Sequence, residues 1–438
     1  MAYDASWRLI PSGKVVYDPI KKMDVLLLGD ILDVIRSTKW GWQKNAPRPW
    51  DYGQGPPKTS RVTKKVAEIT DAILANNSAS LAVLRSLSQG KQITLPPAKK
   101  NKPDPAVGWA PGAKGRKPVT VRLHYMVGNH DWFYHLPGKH FDRMRLDIKK
   151  ALGLANNHRD PFPHDPEESN DIESLQQDHA VFARHGDIYD SFNFEGHRDA
   201  SSLGDAIVIE LLNRFPAAVE KELKGRLKGL PPFVVEGLRE IDNVRPLLLV
   251  PMWIDGLLNS LCPDPKLIKG VKEIWNELVK AFLKLKFVKD RDSWLHPWDN
   301  VDKLQAALRF SKGISLQTAG RLLAWINDSG LKRPDSYYED ALTEPNFKNR
   351  TARFLVYGHT HHHEIVPLDV SHHPKQGTIE QIYLNSGTWR RVYKLARLNT
   401  KDEEFIGYNV LTYLAFFNNG ERRGRPFEAW SGTLAPPA

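Results

Sequence analysis

The stretch Val119–Asp131 reads VTVRLHYMVGNHD, and its two halves differ in chemistry. In the first half, apolar and polar residues alternate with a period of two, which predicts a β-strand. The second half, GNHD, follows that strand directly with a glycine, an amide, an imidazole and a carboxylate. A turn that closes the strand is one interpretation, because Gly, Asn and Asp are common turn residues. A ligand site is the other, because open α/β sheets bind ligands at the carboxyl ends of their strands.

Three further predicted strands end in the same kind of polar group. The strands and the groups that follow them are Met23–Leu28 with Asp30, His179–Arg184 with His185, and Phe354–Tyr357 with His359 and His361. One such group is ordinary at a turn or a helix cap, but four strand ends with shared chemistry favour a common site. In a sheet with parallel strands these ends lie along one edge, so we expect the side chains to converge.

The converging groups have the chemistry of a divalent metal centre. Carboxylate, amide and imidazole ligands suit Mn, Fe, Zn or Co, and no thiolate is present at these strand ends. A carboxylate that bridges two ions is typical of hydrolytic sites, in which ions about 3.5–4 Å apart polarise a phosphoryl group and activate a water. The sequence therefore predicts a hydrolytic centre with two divalent ions. Of the four candidate metals, Mn is favoured.

In order and type, these blocks resemble the calcineurin-like metallophosphoesterase superfamily. The signature of that superfamily runs D-x-H, GD, GNH followed by D or E, a later H, and GHxH. The matching blocks are Gly29-Asp30, Gly128–Asp131, His185 and Gly358–His361. The resemblance covers roughly residues 25–187 and 354–389. It implies a metallophosphoesterase-type β-sandwich flanked by helices, within the α/β class.

The resemblance also implies a role for each candidate metal ligand. Asp30 would bridge both ions. Asn129, His185 and His359 would complete one metal site, and His361 would belong to the other.

Four more residues receive roles next to the metals. By resemblance, His130 would stabilise a phosphoryl oxygen or protonate the leaving group, and Asp131 would orient the His130 ring, as carboxylates commonly orient histidines at metal sites. Asp33 and Asp187 are candidates for supporting positions around the ligands.

The D-x-H block of the superfamily is missing from this sequence. It should precede Asp30, where the nearest candidate is Asp4-Ala5-Ser6, with serine in place of histidine. One explanation is that the natural chain begins further upstream, and the other is that the protein has lost this half of the metal centre. The intact later blocks favour the first explanation.

The pattern along the chain predicts one long insertion. Residues 1–199 and 347–438 would form the two parts of the metallophosphoesterase core, and residues 200–346 a mainly helical insertion or cap. The clearest helical periods within it are Leu267–Leu285 and Leu304–Trp325. We expect this insertion to cover the site and to select the substrate.

Helical periodicity also appears outside the insertion. It predicts helices at Thr63–Leu87 and His140–Leu152 and indicates one over Ile31–Arg36. Ser202 and Asp205 have the spacing of a capping box, which predicts a helix start there.

The net charge of +11 and the pI near 9.4 favour an anionic partner, such as a phosphorylated substrate. Three hypotheses remain open. The first is a metal-dependent phosphoesterase acting on a phosphomonoester, phosphodiester or pyrophosphate. The second is a non-catalytic metal-binding or scaffold protein on the same fold. The third is a nuclease that holds nucleic acid with its basic loop Gln89–Pro118.

Two features bear on location. Apolar runs all fall short of the roughly 20 residues that cross a bilayer. The chain has one cysteine, Cys262, which excludes an internal disulfide and suggests a reducing compartment. The sequence thus predicts a cytoplasmic protein without a transmembrane segment.

Overall fold

The computed structural model describes residues 1–89, 92–245, 249–291, 336–373, 377–395, 405–418 and 420–434. Over these residues the chain has a mixed α/β architecture with several small sheets. The predicted helix Leu304–Trp325 lies outside the described residues. The α/β class is confirmed, and the specific sandwich arrangement stays a prediction.

Each of the fifteen strands of the described residues belongs to a sheet of two to four members. In chain order they are β1 (Trp7–Leu9), β2 (Val15–Tyr17), β3 (Lys22–Leu28), β4 (Thr94–Leu95), β5 (Ala98–Lys99), β6 (Lys102–Pro103), β7 (Lys117–Pro118), β8 (Thr120–Met126), β9 (Val181–Ala183), β10 (Phe354–Tyr357), β11 (His363–His373), β12 (Gly377–Ser386), β13 (Trp389–Leu395), β14 (Phe405–Phe416) and β15 (Phe427–Leu434).

The longer helices of the described residues all lie between β3 and β10 in sequence. Those of five or more residues are Pro56–Asn76, Ser78–Gln89, Lys139–Leu152, Asn170–Asp178, Leu203–Ile207, the π-helix Val208–Leu212, Arg214–Lys221, Pro232–Leu238, Val250–Leu261 and Pro265–Phe282. Four-residue α-helices occur at Ala2–Ala5, Lys286–Lys289, Tyr338–Ala341, Pro345–Lys348 and Glu421–Gly424. None of the described helices has the length and apolar composition needed to cross a membrane.

The strands that precede the candidate ligands all pair in parallel. Strand β3 pairs with β8 from Lys22 opposite Thr120 to Leu28 opposite Met126. Strand β10 pairs in parallel with β9 on one side and β12 on the other, and β11 closes that sheet as an antiparallel edge. Because parallel strands end on the same side of a sheet, the first pairing places Asp30 beside Asn129, and the second places His185 beside His359. The four strand ends therefore belong to two separate sheets and not to one edge of a single sheet, as the sequence suggests.

Strand β8 shows the predicted alternation only at its beginning. Thr120 is exposed and Val121 is buried, but every residue from Leu123 to Met126 is buried. On the second face, which carries His124 and Met126, the sulfur of Met126 lies 4.0 Å from Nε2 of the buried Gln176, so this face also has little contact with solvent. The polar member of that face, His124, is satisfied by Asp24 on β3, with 3.0 Å between Nε2 and the carboxylate.

The helices that follow residue 200 share a core with the first part of the chain. A single cluster of buried apolar side chains includes Val121 and Leu123 of β8, Ile148 of the helix Lys139–Leu152, and Phe215 and Trp275 of the later helices. The predicted helical character of this region is confirmed for its described residues, in which Val244 makes an isolated bridge to Tyr393 and no strand forms. The domain boundaries stay a prediction.

Two of the predicted helices outside this region are confirmed, and one of them is divided. Periodicity over Thr63–Leu87 corresponds to the helices Pro56–Asn76 and Ser78–Gln89, which Asn77 separates. The helix predicted at His140–Leu152 spans Lys139–Leu152 in the structure. The capping box also forms, since Ser202 accepts from the backbone N–H of Asp205.

The prediction of a helix over residues 31–36 is wrong, because these residues form bends and turns instead. Their backbone N–H groups are used by the neighbouring loop rather than by a helix. The donors and acceptors are Ile31 N to Asp131 Oδ2 (3.1 Å), Leu32 N to the Tyr125 hydroxyl (3.2 Å) and Val34 N to His130 O (3.2 Å). This clamp fixes the segment after Asp30 against the GNHD loop.

Candidate metal centre

Four of the predicted ligands meet at the carboxyl ends of the parallel strands. The Oδ1 atom of Asn129 lies 3.2 Å from Nε2 of His185 and 3.0 Å from Nδ1 of His359. The two ring nitrogens lie 3.2 Å apart, and Nε2 of His185 lies 3.3 Å from Oδ2 of Asp30. Asp30, His185 and His359 each offer a ligand atom within 4.8 Å of the others. The structure thus brings together four of the five residues that the sequence predicts as ligands.

Each histidine in this group is held through the ring nitrogen that faces away from it. Nδ1 of His185 donates to the backbone carbonyl of Leu28 at 2.9 Å. Nε2 of His359 donates to Asp190 at 2.9 Å. This leaves Nε2 of His185 and Nδ1 of His359 as the atoms that face the other ligands. Metal-bound histidines commonly donate their second nitrogen to a carbonyl or a carboxylate in this way.

The amide of Asn129 is oriented by the same kind of support. Its Nδ2 donates to Oδ1 of Asn193 at 3.0 Å, and Asn193 in turn donates to Asp190 at 2.7 Å. The Oδ1 atom of Asn129 therefore points toward the two histidines. One carboxylate, Asp190, thus fixes both His359 and, through Asn193, the amide.

These distances suit a single divalent ion. Ligand atoms bound at about 2.0–2.2 Å from one ion lie roughly 3.0–3.5 Å from their neighbours. The separations between neighbouring donor atoms here are 3.0–3.3 Å. The donor set of one carboxylate, one amide oxygen and two imidazoles therefore fits a borderline metal such as Mn, Fe, Zn or Co.

The backbone is strained at three of the candidate ligands. Asp30, His359 and His361 have φ angles of 56°, 64° and 61°, in the left-handed region that residues other than glycine rarely adopt. Such strain costs about 1–3 kcal/mol per residue and persists where the surrounding structure enforces it. Its concentration at ligand positions is typical of functional sites.

Glycines allow the ligands to approach one another. A Cβ atom on Gly128 would lie 2.3 Å from Oδ1 of Asp30 and 2.8 Å from the ring of His185. A Cβ atom on Gly29 would lie 2.4 Å from Nδ1 of His185. Both positions therefore require glycine, because a side chain at Gly128 would displace Asp30 and His185, and one at Gly29 would displace His185.

We expect Gly128→Ala to lower the free energy of unfolding by about 1–3 kcal/mol, the usual cost of overpacking a tight site. It should also weaken metal binding, because Asp30 must move. Urea unfolding and metal titration measure the two effects. Gly112→Ala is the matched control, since no atom lies within 4 Å of a Cβ there. Equal behaviour of the two variants would contradict the close approach.

The negative charge of Asp30 and the positive charge of His185 stabilise each other at the centre. Burial alone would raise the pKa of Asp30, but His185 and His130 hold it well below its usual value. Burial alone would lower the pKa of His185, but Asp30 raises it to about 9. In the absence of an ion, the carboxylate and the imidazolium thus stabilise each other. A cation bound there would replace the proton of His185 as the partner of Asp30.

The ring of His130 is oriented by Asp33, which corrects the pairing with Asp131. Nδ1 of His130 donates to Oδ1 of Asp33 at 2.8 Å. Asp131 is fully buried and its oxygens accept from the Gly128 N–H (2.6 Å) and the Tyr125 hydroxyl (2.5 Å). Burial and the nearby Asp30 raise the pKa of Asp131 to about 7. Its position is that of a group that shapes the loop rather than one that orients His130.

Asp187 accepts from Nη2 of Arg198 at 2.8 Å, and within the described residues its charge acts on His185 and His359 without a hydrogen bond to either ring. The carboxylate that supports the candidate ligands is Asp190, three residues further along the same HGDIYD segment. Sequence reasoning missed Asp190 and Asn193. Their only signal is a cluster of polar residues after His185, which does not show which one faces the site.

His361 is not part of the group of Asp30, His185 and His359 whose ligand atoms lie within 4.8 Å of one another, and it faces a guanidinium. Nη2 of Arg245 donates to Nδ1 of His361 at 2.9 Å, and burial together with Arg245 holds the pKa of His361 well below its usual value. Within the described residues, neither of the two groups able to hold an ion includes His361. The second ion of the predicted pair stays a prediction.

The segment Ile241–Arg245 of the predicted insertion reaches the site. Arg245 contacts His361, while Asp242 binds Arg36 at 2.8 Å and Arg390 at 3.2 Å. Sequence reasoning missed Arg245 and Asp242 because they sit in a helical region with no recognisable motif.

Comparison of the chain with protein-family models, curated proteins and solved structures gives no match.

Proposed function

We propose that this protein is a metal-dependent phosphoesterase of the calcineurin-like metallophosphoesterase type, with a β-sandwich core. The observation that carries the proposal is the convergence of Asp30, Asn129, His185 and His359 at distances that suit one ion, with the outward atoms of the amide and of both rings bound to supporting groups. The motif order along the sequence adds the reaction class. The proposed substrate is a phosphomonoester, phosphodiester or pyrophosphate.

A divalent ion in this centre supplies Lewis-acid polarisation of a phosphoryl oxygen and lowers the pKa of a water. The chain's own residues supply the rest. His130 is held at Nδ1 by Asp33, so its Nε2 is the atom able to pass a proton to a leaving oxygen. The backbone clamp between residues 31–34 and the GNHD loop keeps His130 in register with Asp30.

Positive charge around the centre suits an anionic substrate. Arg245, Arg36 and Arg390 come from three separate segments and lie on the side of His361 and Asp33. Guanidinium groups recognise phosphate oxygens well. The net charge of +11 acts in the same direction over longer distances. A cytoplasmic location agrees with the single cysteine and is part of the proposal.

A second candidate is a metal-binding protein without turnover. Its supporting observation is the guanidinium of Arg245 bonded to His361, where the superfamily pattern expects a second ion. The two candidates share the first ion and differ in catalysis.

Removal of bound metal tests the proposal directly. We expect protein dialysed against a chelator to lose hydrolysis of an aryl phosphate monoester and an aryl phosphodiester, and Mn²⁺ to restore it. The same titration, followed by elemental mass spectrometry, gives the number of ions per chain. Restored turnover supports the phosphoesterase. Metal uptake without turnover on either substrate favours the second candidate, and no metal uptake rejects both.

We expect Asp33→Asn to lower kcat about 10–100-fold, the usual effect of removing a supporting carboxylate, with little change in KM. The bound metal should be unchanged, because Asp33 contacts His130 and not the ligands. Steady-state kinetics and metal analysis measure both quantities. Asp178→Asn, at an exposed helix end, is the matched control. Loss of metal in Asp33→Asn would contradict the role assigned to Asp33.

A further inference from the structure

A second group of ligand-type side chains lies outside the candidate metal centre. It consists of His135, His164 and Asp199, which we call the His135 cluster, and their ligand atoms lie within 4.8 Å of one another. Nδ1 of His135 lies 2.7 Å and Nε2 of His164 lies 3.2 Å from the same oxygen, Oδ1 of Asp199. The two rings pack with their centroids 4.4 Å apart. Two imidazoles therefore face one carboxylate oxygen.

The three side chains come from three segments whose backbones are held in place. His135 ends the short 3₁₀-helix Trp132–His135. His164 follows Pro163, whose carbonyl accepts from the Val127 N–H at 2.9 Å, so this segment is tied to the chain just before the GNHD loop. Asp199 lies in the loop that leads to the helix Leu203–Ile207. The cluster is thus built on fixed positions rather than on mobile side chains alone.

A fourth residue, Glu168, orients His135 from the far side of its ring. The Glu168 carboxylate lies 3.5 Å from Nε2 of His135 and accepts from the backbone N–H of His164 at 2.7 Å. Nδ1 of His135 is therefore the atom that faces Asp199. A carboxylate behind the outer nitrogen of a histidine is the usual arrangement around metal-bound histidines, and the candidate centre repeats it with His359 and Asp190.

Burial favours the neutral form of His164. His164 is 2% exposed, and within the described residues its Nδ1 atom has no hydrogen-bond partner. An imidazolium would leave a charged N–H buried without an acceptor, which is costly. A neutral His164 avoids that cost both when its Nε2 donates to Asp199 and when its Nε2 binds a metal, and a neutral imidazole is the form that binds metals. The metal counts below separate the two arrangements.

We propose that His135, His164 and Asp199 form a second metal site, distinct from the candidate centre and suited to Zn²⁺ or a similar ion. Two imidazoles and one carboxylate are a common Zn²⁺ donor set that leaves a position for water. A divalent charge balances the carboxylates of Asp199 and Glu168. The ion cross-links the segment after the GNHD loop to the loop that carries Arg198, the partner of Asp187.

The test is made in the His359→Ala background, so that the candidate centre does not obscure the count. We expect this parent protein to bind one Zn²⁺ per chain in equilibrium dialysis followed by elemental mass spectrometry. We expect Asp199→Asn or His135→Gln added to that background to remove it. Loaded with Co²⁺, the parent should show visible d–d absorption that both added variants lack. Zn²⁺ should raise the melting temperature of the parent alone.

Two results would overturn the proposal. One is an unchanged Zn²⁺ count in both added variants, with their circular dichroism equal to that of the parent, since the cluster would then be an ion pair only. The other is a parent that binds no Zn²⁺. Neither result depends on phosphoesterase activity, so the proposed function and this site can fail separately.

Discussion

Asp30→Asn is expected to reduce metal-dependent hydrolysis by at least about 10³-fold, because the loss of several kcal/mol of charge stabilisation corresponds to that factor. Asp30 supplies the one carboxylate in the centre and lies 3.3 Å from Nε2 of His185. In the wild-type protein the backbone N–H of His130 donates to Oδ1 of Asp30 at 2.9 Å. The asparagine side chain has the same shape and keeps an oxygen that can accept this hydrogen bond, so the loop should keep its fold. The effect is therefore electrostatic.

Kinetics with an aryl phosphate and metal analysis of the same sample measure this effect. Asp178→Asn makes the identical chemical change at an exposed helix end and should keep the wild-type rate and metal content. A wild-type rate in Asp30→Asn would remove the basis of the proposed function. Unchanged metal content with a lost rate would show that Asp30 acts on the substrate rather than as a ligand.

Arg145→Leu is expected to lower the free energy of unfolding by about 3–5 kcal/mol, since it removes three hydrogen bonds to carbonyls, of which that of Tyr134 keeps the Phe162 N–H as a donor. Arg145 has 0% exposure. Its Nη1 atom donates to the carbonyls of Tyr134 and Leu136 at 2.8 and 2.7 Å, and Nε donates to the carbonyl of His158 at 3.1 Å. A leucine fills part of the volume and satisfies none of these carbonyls.

Urea unfolding at neutral pH gives the measurement. Arg143→Leu is a control on the same helix, where the side chain is 78% exposed and pairs with Asp147 at 3.6 Å. Exposed substitutions of this kind usually change stability by less than about 0.5 kcal/mol. Equal unfolding midpoints for the two variants would contradict the assigned role of Arg145. A reduced Zn²⁺ count in Arg145→Leu would further show that it supports the neighbouring His135.

The candidate ligands could be predicted because their signal is local. An apolar run followed at once by Asp30 or His359 indicates both a buried strand and the polar group at its end. Parallel pairing then follows from the alternation of strands and helices along the chain. The strands by themselves account for two pairs, Asp30 with Asn129 and His185 with His359, whereas the meeting of the two pairs depends on how the two separate sheets are placed.

The supporting residues could not be predicted, because loop geometry selects them. Asp131 and Asp33 are both near His130, one in sequence and the other only in space, and the structure pairs His130 with Asp33. Asp187 and Asp190 differ by three positions in one short segment, and only the second reaches His359. Which carboxylate faces a ring depends on turns that residue types do not specify.

The wrong prediction of a helix over residues 31–36 shows that tertiary contacts of the backbone are also not specified by the local sequence. Its apolar spacing is helical, yet its N–H groups donate to Asp131, Tyr125 and His130. Tertiary hydrogen bonds therefore override a weak local preference. Arg245 was missed for a similar reason, because its contact with His361 joins positions 116 residues apart.

The wide spacing of the ligands along the chain has a consequence for how the protein matures. His185 is 56 residues from Asn129 and 174 residues from His359. Contacts of such long range form late, after the entropy of closing the intervening chain has been overcome. Because synthesis proceeds from the amino terminus, Asp30, Asn129 and His185 are made before His359, and the site is incomplete until His359 is present. We therefore expect the ion to be acquired only after His359 has been synthesised, with slow, non-local folding setting the rate of metal loading.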